Sequence, residues 1–245
     1  MQSADDENVY QSDDSDLSSN EITKKRLRKY YDLFYENSEF EYYDEVTTRK
    51  FLKALMKKAG VSPPMSILDV GCATGFYTEQ LRKIGLGAVG IDLSPVGVSK
   101  GHEKYPEVSL AAGDAAAMPF KPKTFNAIFM FGCSLTNTRD LNAIKAYHTY
   151  LTEYLRLGGV VISIGGSDFS GRKAATSEWI YHSYGEILRF VDRDEVVAEG
   201  PFITNFKLLS VVGRIGLSRF LSDVFRRLHV KRRWAVVYFI RKKKV

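Results

Sequence analysis

Three carboxylates and one glycine-bracketed loop carry the chemistry that can be read from this chain. Asp69, Asp92 and Asp114 follow one another at intervals of 23 and 22 residues. Asp69 opens the run Asp-Val-Gly-Cys-Ala-Thr-Gly, which ends at Gly75. Glycines allow a ligand to approach the backbone, and a helix N-terminus behind such a loop presents outward N–H groups. An acid ending a second strand can accept hydrogen bonds from both hydroxyls of a ribose, each worth roughly 1.5–3 kcal/mol to a charged acceptor. Asp114 is spaced to accept from an exocyclic adenine amine, and Asp69 to match a cationic amino group. The ligand implied has an adenosine end and an amine end.

Such a site needs a parallel sheet whose strand ends share one edge. The chain supplies the pattern. Strands are expected at Ser66 to Val70, Gly87 to Asp92, Val108 to Ala111, Ala127 to Phe131 and Val160 to Ile164. Helices are expected between them at Tyr77 to Ile84, Pro95 to Lys104 (Ser94 as N-cap) and Asp140 to Arg156, with Gly158-Gly159 as a helix stop. This alternation predicts βαβ units. Two helices precede it, Glu21 to Tyr35 with an aromatic face and about Glu45 to Ala59. A further strand is expected over Glu195 to Phe202, apolar helical spacing over 205–228, and a last strand at Trp234 to Ile240. The stretch from Ser167 to Asp192 fits neither period.

Composition bounds the rest. A chain of 245 residues is long enough to bury about 70–75% of its unfolded surface without staples. Cys72 and Cys133, the two cysteines, are read as buried free thiols, and no metal site is legible. No signal segment or membrane-length apolar run is seen, so the expected compartment is the cytoplasm. Seven acids and no Lys or Arg lie within residues 1–21. The net charge of +6 therefore leaves about +13 on the remainder. Basic residues continue after Asp223 with no acid.

The loop is not a dinucleotide fingerprint, since Ala73 stands where the second glycine of G-x-G-x-x-G would be, and it lacks the Gly-Lys-Ser/Thr of a Walker loop. An NAD-dependent enzyme is thus an outside alternative. The ordered segments LDVGCATG, GIDLS, GDAAAMPF, FNAIFMFG and YLRLGGVVIS, with WAVVYFIRK at the end, resemble the motif series of class I S-adenosylmethionine-dependent methyltransferases of the small-molecule type. The resemblance implies an α/β, Rossmann-like three-layer sandwich. Its mostly parallel sheet of seven strands would have order 3-2-1-4-5-7-6, strand 7 being antiparallel. Residues 1–20 would be an acidic tail, 21–64 lid helices, and 65–245 the methyltransferase domain with a helical insertion at about 205–230.

Carried onto this sequence, the resemblance implies S-adenosylmethionine as cofactor and S-adenosylhomocysteine as product. Asp69, Gly71, Cys72, Ala73 and Gly75 would line the methionine end, Asp92 and Leu93 the ribose, and Asp114 and Ala115 the adenine. Phe131 would lie near the cofactor. The Lys-Tyr-Tyr-Asp-Leu-Phe-Tyr run resembles a lid helix of small-molecule members, with Tyr31 as the lid residue.

Tyr35, Ser134 and Asn137 are substrate candidates. Among the histidines, His182 is the candidate base, whereas His148 reads as structural. The function expected is methyl transfer to an O, N or C nucleophile of a natural product, sugar or lipid-like metabolite. RNA or protein methyl transfer, and a non-catalytic cofactor-binding partner subunit, remain as alternatives. The basic C-terminal region is a candidate contact for a membrane surface or an anionic ligand, nucleic acid being the weaker option, and a homodimer is a further candidate assembly.

Overall fold

In a computed structural model, the described residues are 19–37, 44–167, 180, 182, 184–191, 196–201 and 234–242. Their elements are α1 (Ser19–Asn37), α2 (Glu45–Ala59), β1 (Ser66–Val70), α3 (Phe76–Lys83), β2 (Gly87–Asp92), α4 (Pro95–Lys104), β3 (Ser109–Ala112), β4 (Phe125–Phe131), α5 (Leu141–Glu153), β5 (Leu155–Ser167), α6 (Tyr184–Ile187), β6 (Val196–Pro201) and β7 (Trp234–Arg241). The strands form one seven-stranded sheet in the order β3-β2-β1-β4-β5-β7-β6. Pairings from β3 through β5 are parallel, and β7 runs antiparallel to both neighbours. This is the order and the reversed strand that the motif series implies.

Successive strand residues face opposite sides, which makes three layers. Ile67, Phe129, Ile162 and Ile164 pack with Leu52, Leu55 and Met56 of α2 and Leu81 of α3. Leu68, Val70, Ile128 and Met130 pack with Leu151 of α5 on the other side. The short connections set the site edge: Ser94 accepts from Gly97 N to cap α4, and Asp140 caps α5 by accepting from Asn142 N and Ala143 N.

Several expectations are corrected. Residues 19 and 20 are helical, not tail. Gly158-Gly159 does not end a helix before a strand at Val160. Leu155 already pairs with Phe125, and the register shifts before Ala127 pairs with Val160. Gly158, at φ 77, lies in the extra length on the β5 side of that irregularity. A Cβ on Gly159 would lie 2.9 Å from the carbonyl oxygens of Arg156 and Asn126, so only glycine fits there. The acidic residues 1–18 and the expected helical insertion at about 205–230 lie outside the described residues. Among the described residues, no helix is long and apolar enough to cross a membrane.

Gly101 fixes α4 against the glycine loop. A Cβ there would meet Leu110 Cδ1 at 2.5 Å and the Thr74 carbonyl oxygen at 2.9 Å. The side chain could turn aside, but the carbonyl belongs to the loop backbone. Gly101→Ala is therefore expected to destabilise the protein by about 1–3 kcal/mol, lowering Tm by roughly 2–4 °C for each kcal/mol. An unchanged melting curve would mean that α4 is not held against the loop as described.

Candidate functional site

Asp69 is the fourth residue of β1 and is 2% exposed. Its Oδ2 accepts from Thr78 Oγ1 of α3 at 2.6 Å, which joins the end of the strand to the helix behind the loop. Burial pushes the Asp69 carboxyl up to about 7, against the lowering effect of Thr78, with Asp92 adding a smaller repulsion. The loop between them turns back on itself. Gly71 and Cys72 donate to the Ile91 carbonyl at 2.9 and 3.1 Å, and Gly75 N donates to Cys72 O at 2.8 Å. Gly71, Ala73 and Gly75 hold φ of 73, 54 and 77. At Ala73 the left-handed backbone costs about 1–2 kcal/mol for a residue with a Cβ. The conformation aims its N–H at Asp92.

Asp92 is held by both oxygens. Ala73 N donates to Oδ2 at 2.8 Å and Ser94 N donates to Oδ1 at 2.9 Å. Burial raises its pKa, and these two backbone N–H groups oppose the rise. Each oxygen keeps a lone pair beyond the backbone bond it accepts. Leu93, half-buried, lies in sequence between Asp92 and Ser94. Asp114 stands past β3. Its Oδ1 accepts from Ala116 N at 2.8 Å and its Oδ2 faces Lys24 Nζ at 2.7 Å. Ala115 packs on the α5 side of the core, and its carbonyl accepts from Tyr147 Oη at 3.4 Å.

The third part of the edge follows β4. Phe131 stacks on Tyr77 of α3 with ring centroids 4.8 Å apart. Cys133 is buried, and its thiol is pushed up to about 12 by burial, so it stays protonated at neutral pH. Ser134–Thr136 is a single 3₁₀ turn. Tyr31 of α1 is hydrogen-bonded to the Ser134 side chain, and burial pushes its phenol up to about 12. Ile180 N donates to Asn137 Oδ1 at 2.6 Å. His182 is hydrogen-bonded to the backbone of Thr136 and Thr138. Burial lowers its pKa, partly offset by Glu186, so the ring is neutral near pH 7.

The structure thus brings Tyr31, Ser134, Asn137 and His182 around one loop, and Asp69, Ala73 and Asp92 around another. Tyr35 is placed differently from the open position that a substrate contact suggests. It is 2% exposed, and its ring sits where a Cβ on Gly97 would come within 2.9 Å, so it packs α1 against α4. His148 is buried, with its ring stacked on Phe190 at 5.7 Å, and burial drops its pKa to about 4. Sequence reasoning missed Thr78, Tyr77, Lys24 and Asp32. Asp32 had a signal, as the residue directly after Tyr31; Thr78 had only its place in the first turn of α3.

Residues 67–159 match the family model described as a methyltransferase domain. Fold, strand order and the matched segment are similar to those of class I, Rossmann-like methyltransferase domains. Over 116 residues the chain is 32% identical to a demethylmenaquinone methyltransferase of Renibacterium salmoninarum, covering 47% of each chain. It is 26% identical over 146 residues to an 18S rRNA (guanine-N(7))-methyltransferase of Bos taurus, covering 54% of this chain and 51% of that one. The chain therefore spans about half the length of the curated relatives it matches. Among solved structures, the [4+2]-cyclase SpnF superposes with a TM-score of 0.58 at 14% identity, covering 91% of this chain and 97% of that one. The shared fold thus serves acceptors of different kinds, and one relative in fold is named for a different reaction.

Proposed function

We propose that this chain is an S-adenosylmethionine-dependent methyltransferase with a small-molecule acceptor. The observation that carries the reading is Asp92. Its two oxygens are fixed by Ala73 N and Ser94 N, and the pair of lone pairs left over suits a vicinal diol. Asp69 would balance the cationic amine of the methionine end, with the backbone of Gly71, Cys72, Ala73 and Gly75 alongside. Leu93 would flank the ribose. Asp114 would accept from the adenine amine beside Ala115, in exchange for Lys24. Tyr31 and Phe131 would offer ring faces toward the sulfonium, worth about 0.5–2 kcal/mol by cation–π attraction. When bound, the cofactor supplies an electrophilic methyl group on a good leaving group. The chain's own part is alignment and exclusion of water.

The acceptor would meet the loop after β4. Ser134 and Asn137 are the polar candidates there. His182, neutral and held on the backbone of Thr136 and Thr138, has the protonation state of a base for a hydroxyl acceptor. Unchanged turnover in His182→Ala would remove it from that role. The aromatic inner face of α1 and the quinone-named relative favour a small apolar acceptor. A second reading, an RNA acceptor, draws on the rRNA-named relative and on the net charge of +6. It is the weaker one, because that match is 26% identical against 32% for the quinone-named relative.

Calorimetry with S-adenosylhomocysteine and with NAD tests the cofactor. Saturable binding of the first and none of the second is expected, and the reverse would overturn the reading. A mass-spectrometric search for products of mass increased by one methylene, run on small-molecule and RNA pools, separates the two acceptor classes. Cofactor binding with no product in any pool would instead favour a non-catalytic subunit.

A further inference from the structure

Helix α1 reaches the site through a residue that the proposed chemistry does not use. Ser94 Oγ donates to Asp32 Oδ1 at 2.5 Å, across 62 positions of sequence. With its proton so directed, the same hydroxyl oxygen accepts from Gly97 N at 3.0 Å as the cap of α4. The backbone N–H of Ser94 is one of the two donors that fix Asp92. Ser94, fully buried, therefore joins three things: the lid helix, the N-terminus of α4 and the acid at the end of β2.

The other ties of α1 are of a different kind. Lys24 occupies Oδ2 of Asp114, the oxygen an adenine amine would need. Tyr31 engages Ser134, on the acceptor side. Lys100 Nζ donates to the Tyr35 carbonyl, away from the acids. Asp32 bonds the Ser94 hydroxyl, whereas Asp92 is held by the Ser94 backbone N–H, so a diol on Asp92 would not use the same atoms. Unlike the Lys100 tie, the Asp32–Ser94 bond ends on a residue that anchors Asp92. Its placement also carries a cost, since the Asp32 charge repels Asp92.

We infer that Asp32 is a positioning residue that couples closure of α1 over the cofactor to the orientation of Asp92, through Ser94. The inference rests on the reading of Asp92 as the ribose acceptor. Lid closure and ribose capture are then one event, and loss of Asp32 would weaken cofactor binding without touching the cofactor.

The test uses the full chain, S-adenosylhomocysteine as the probe, and Asp32→Ala beside Asp32→Asn. In Asp32→Asn the amide oxygen still accepts from Ser94. Calorimetry gives the affinity. Limited trypsin digestion follows α1, which offers Lys24, Lys25, Arg26, Arg28 and Lys29 as cleavage points. Asp32→Ala is expected to bind about tenfold more weakly and to lose protection of α1 by ligand. Asp32→Asn is expected to stay close to wild type in both. Wild-type affinity and protection in Asp32→Ala would overturn the inference, as would equal losses in both variants together with a lowered Tm. If wild type itself does not bind S-adenosylhomocysteine, the cofactor reading fails first and the coupling falls with it.

Discussion

Asp92→Ala is expected to weaken S-adenosylhomocysteine binding by about 100-fold or more. Two hydrogen bonds to a charged acceptor, at roughly 1.5–3 kcal/mol each, would be lost together, and every 1.4 kcal/mol is about a factor of ten. The change also removes the acceptor for Ala73 N and Ser94 N, which lie 2.8 and 2.9 Å from the carboxylate. Ala73 holds a strained backbone at φ 54, and without that bond the loop has reason to relax. The loss therefore has a direct part and a part from preorganisation. Asp92→Asn divides them, because the amide keeps one acceptor oxygen and the shape of the side chain. An intermediate loss of about tenfold is expected for it. Calorimetry at constant pH measures both. An affinity for Asp92→Ala within about threefold of wild type would remove Asp92 from the ribose role.

The parts of this site that were legible in sequence are those set by strand ends. Asp69, Asp92 and Asp114 could be placed because each follows a short apolar run, and parallel strands deliver their C-termini to one edge. The strand order followed from the ordered motifs, and the sheet β3-β2-β1-β4-β5-β7-β6 has it. Element boundaries were read to within a few residues where caps exist, as at Ser94 and Asp140. They failed at Gly158-Gly159. There a glycine pair sits inside the β5 irregularity rather than after a helix, and local composition is the same in either case.

What sequence could not give is contact across chain distance. Thr78 meets Asp69 only because α3 folds back over the strand that precedes it. Ser94 reads as an ordinary cap, and nothing local says that Asp32 shares its hydroxyl. Ile180 and His182 reach the loop at 136–138 from a stretch with no clear period. Tyr35 was read by residue type as a pocket aromatic, yet the absent side chain of Gly97 makes room for it in the α1–α4 packing. The pattern of success and failure follows one rule. Positions set by backbone topology were legible, and side-chain meetings between elements were not.

Asp69→Asn is expected to raise the stability of the ligand-free protein while lowering its affinity for the cofactor. Burial holds the wild-type carboxyl at about 7, against an ordinary 3.8. The unfolded chain releases this proton from pH 3.8 upward, and the folded chain releases it only near pH 7. Within that window the folded state binds more protons, so stability falls as pH rises and levels off above the folded pKa. The full contribution is present below the unfolded pKa. With about 1.36 kcal/mol for each pKa unit, the wild type gives up about 4 kcal/mol by pH 8. An asparagine has no such titration, and its side-chain oxygen can still accept from Thr78. Ligand-free Asp69→Asn should therefore melt roughly 10 °C higher than wild type at pH 8, with the gap closing toward pH 4. Binding runs the other way. A cationic amine beside Asp69 favours the carboxylate, so wild-type affinity for S-adenosylhomocysteine should fall below pH 7, by up to about tenfold per pH unit. The same coupling appears as proton release at pH 6, measurable by calorimetry in two buffers of different ionisation heat. Asp69→Asn should bind weakly and without that slope. Equal melting temperatures at pH 8, or parallel binding profiles for the two proteins, would show that this acid neither strains the empty site nor meets the amine. Opposed signs would be the signature of a group kept for its ligand: the charge that destabilises the empty fold would be the one that a cationic amine selects.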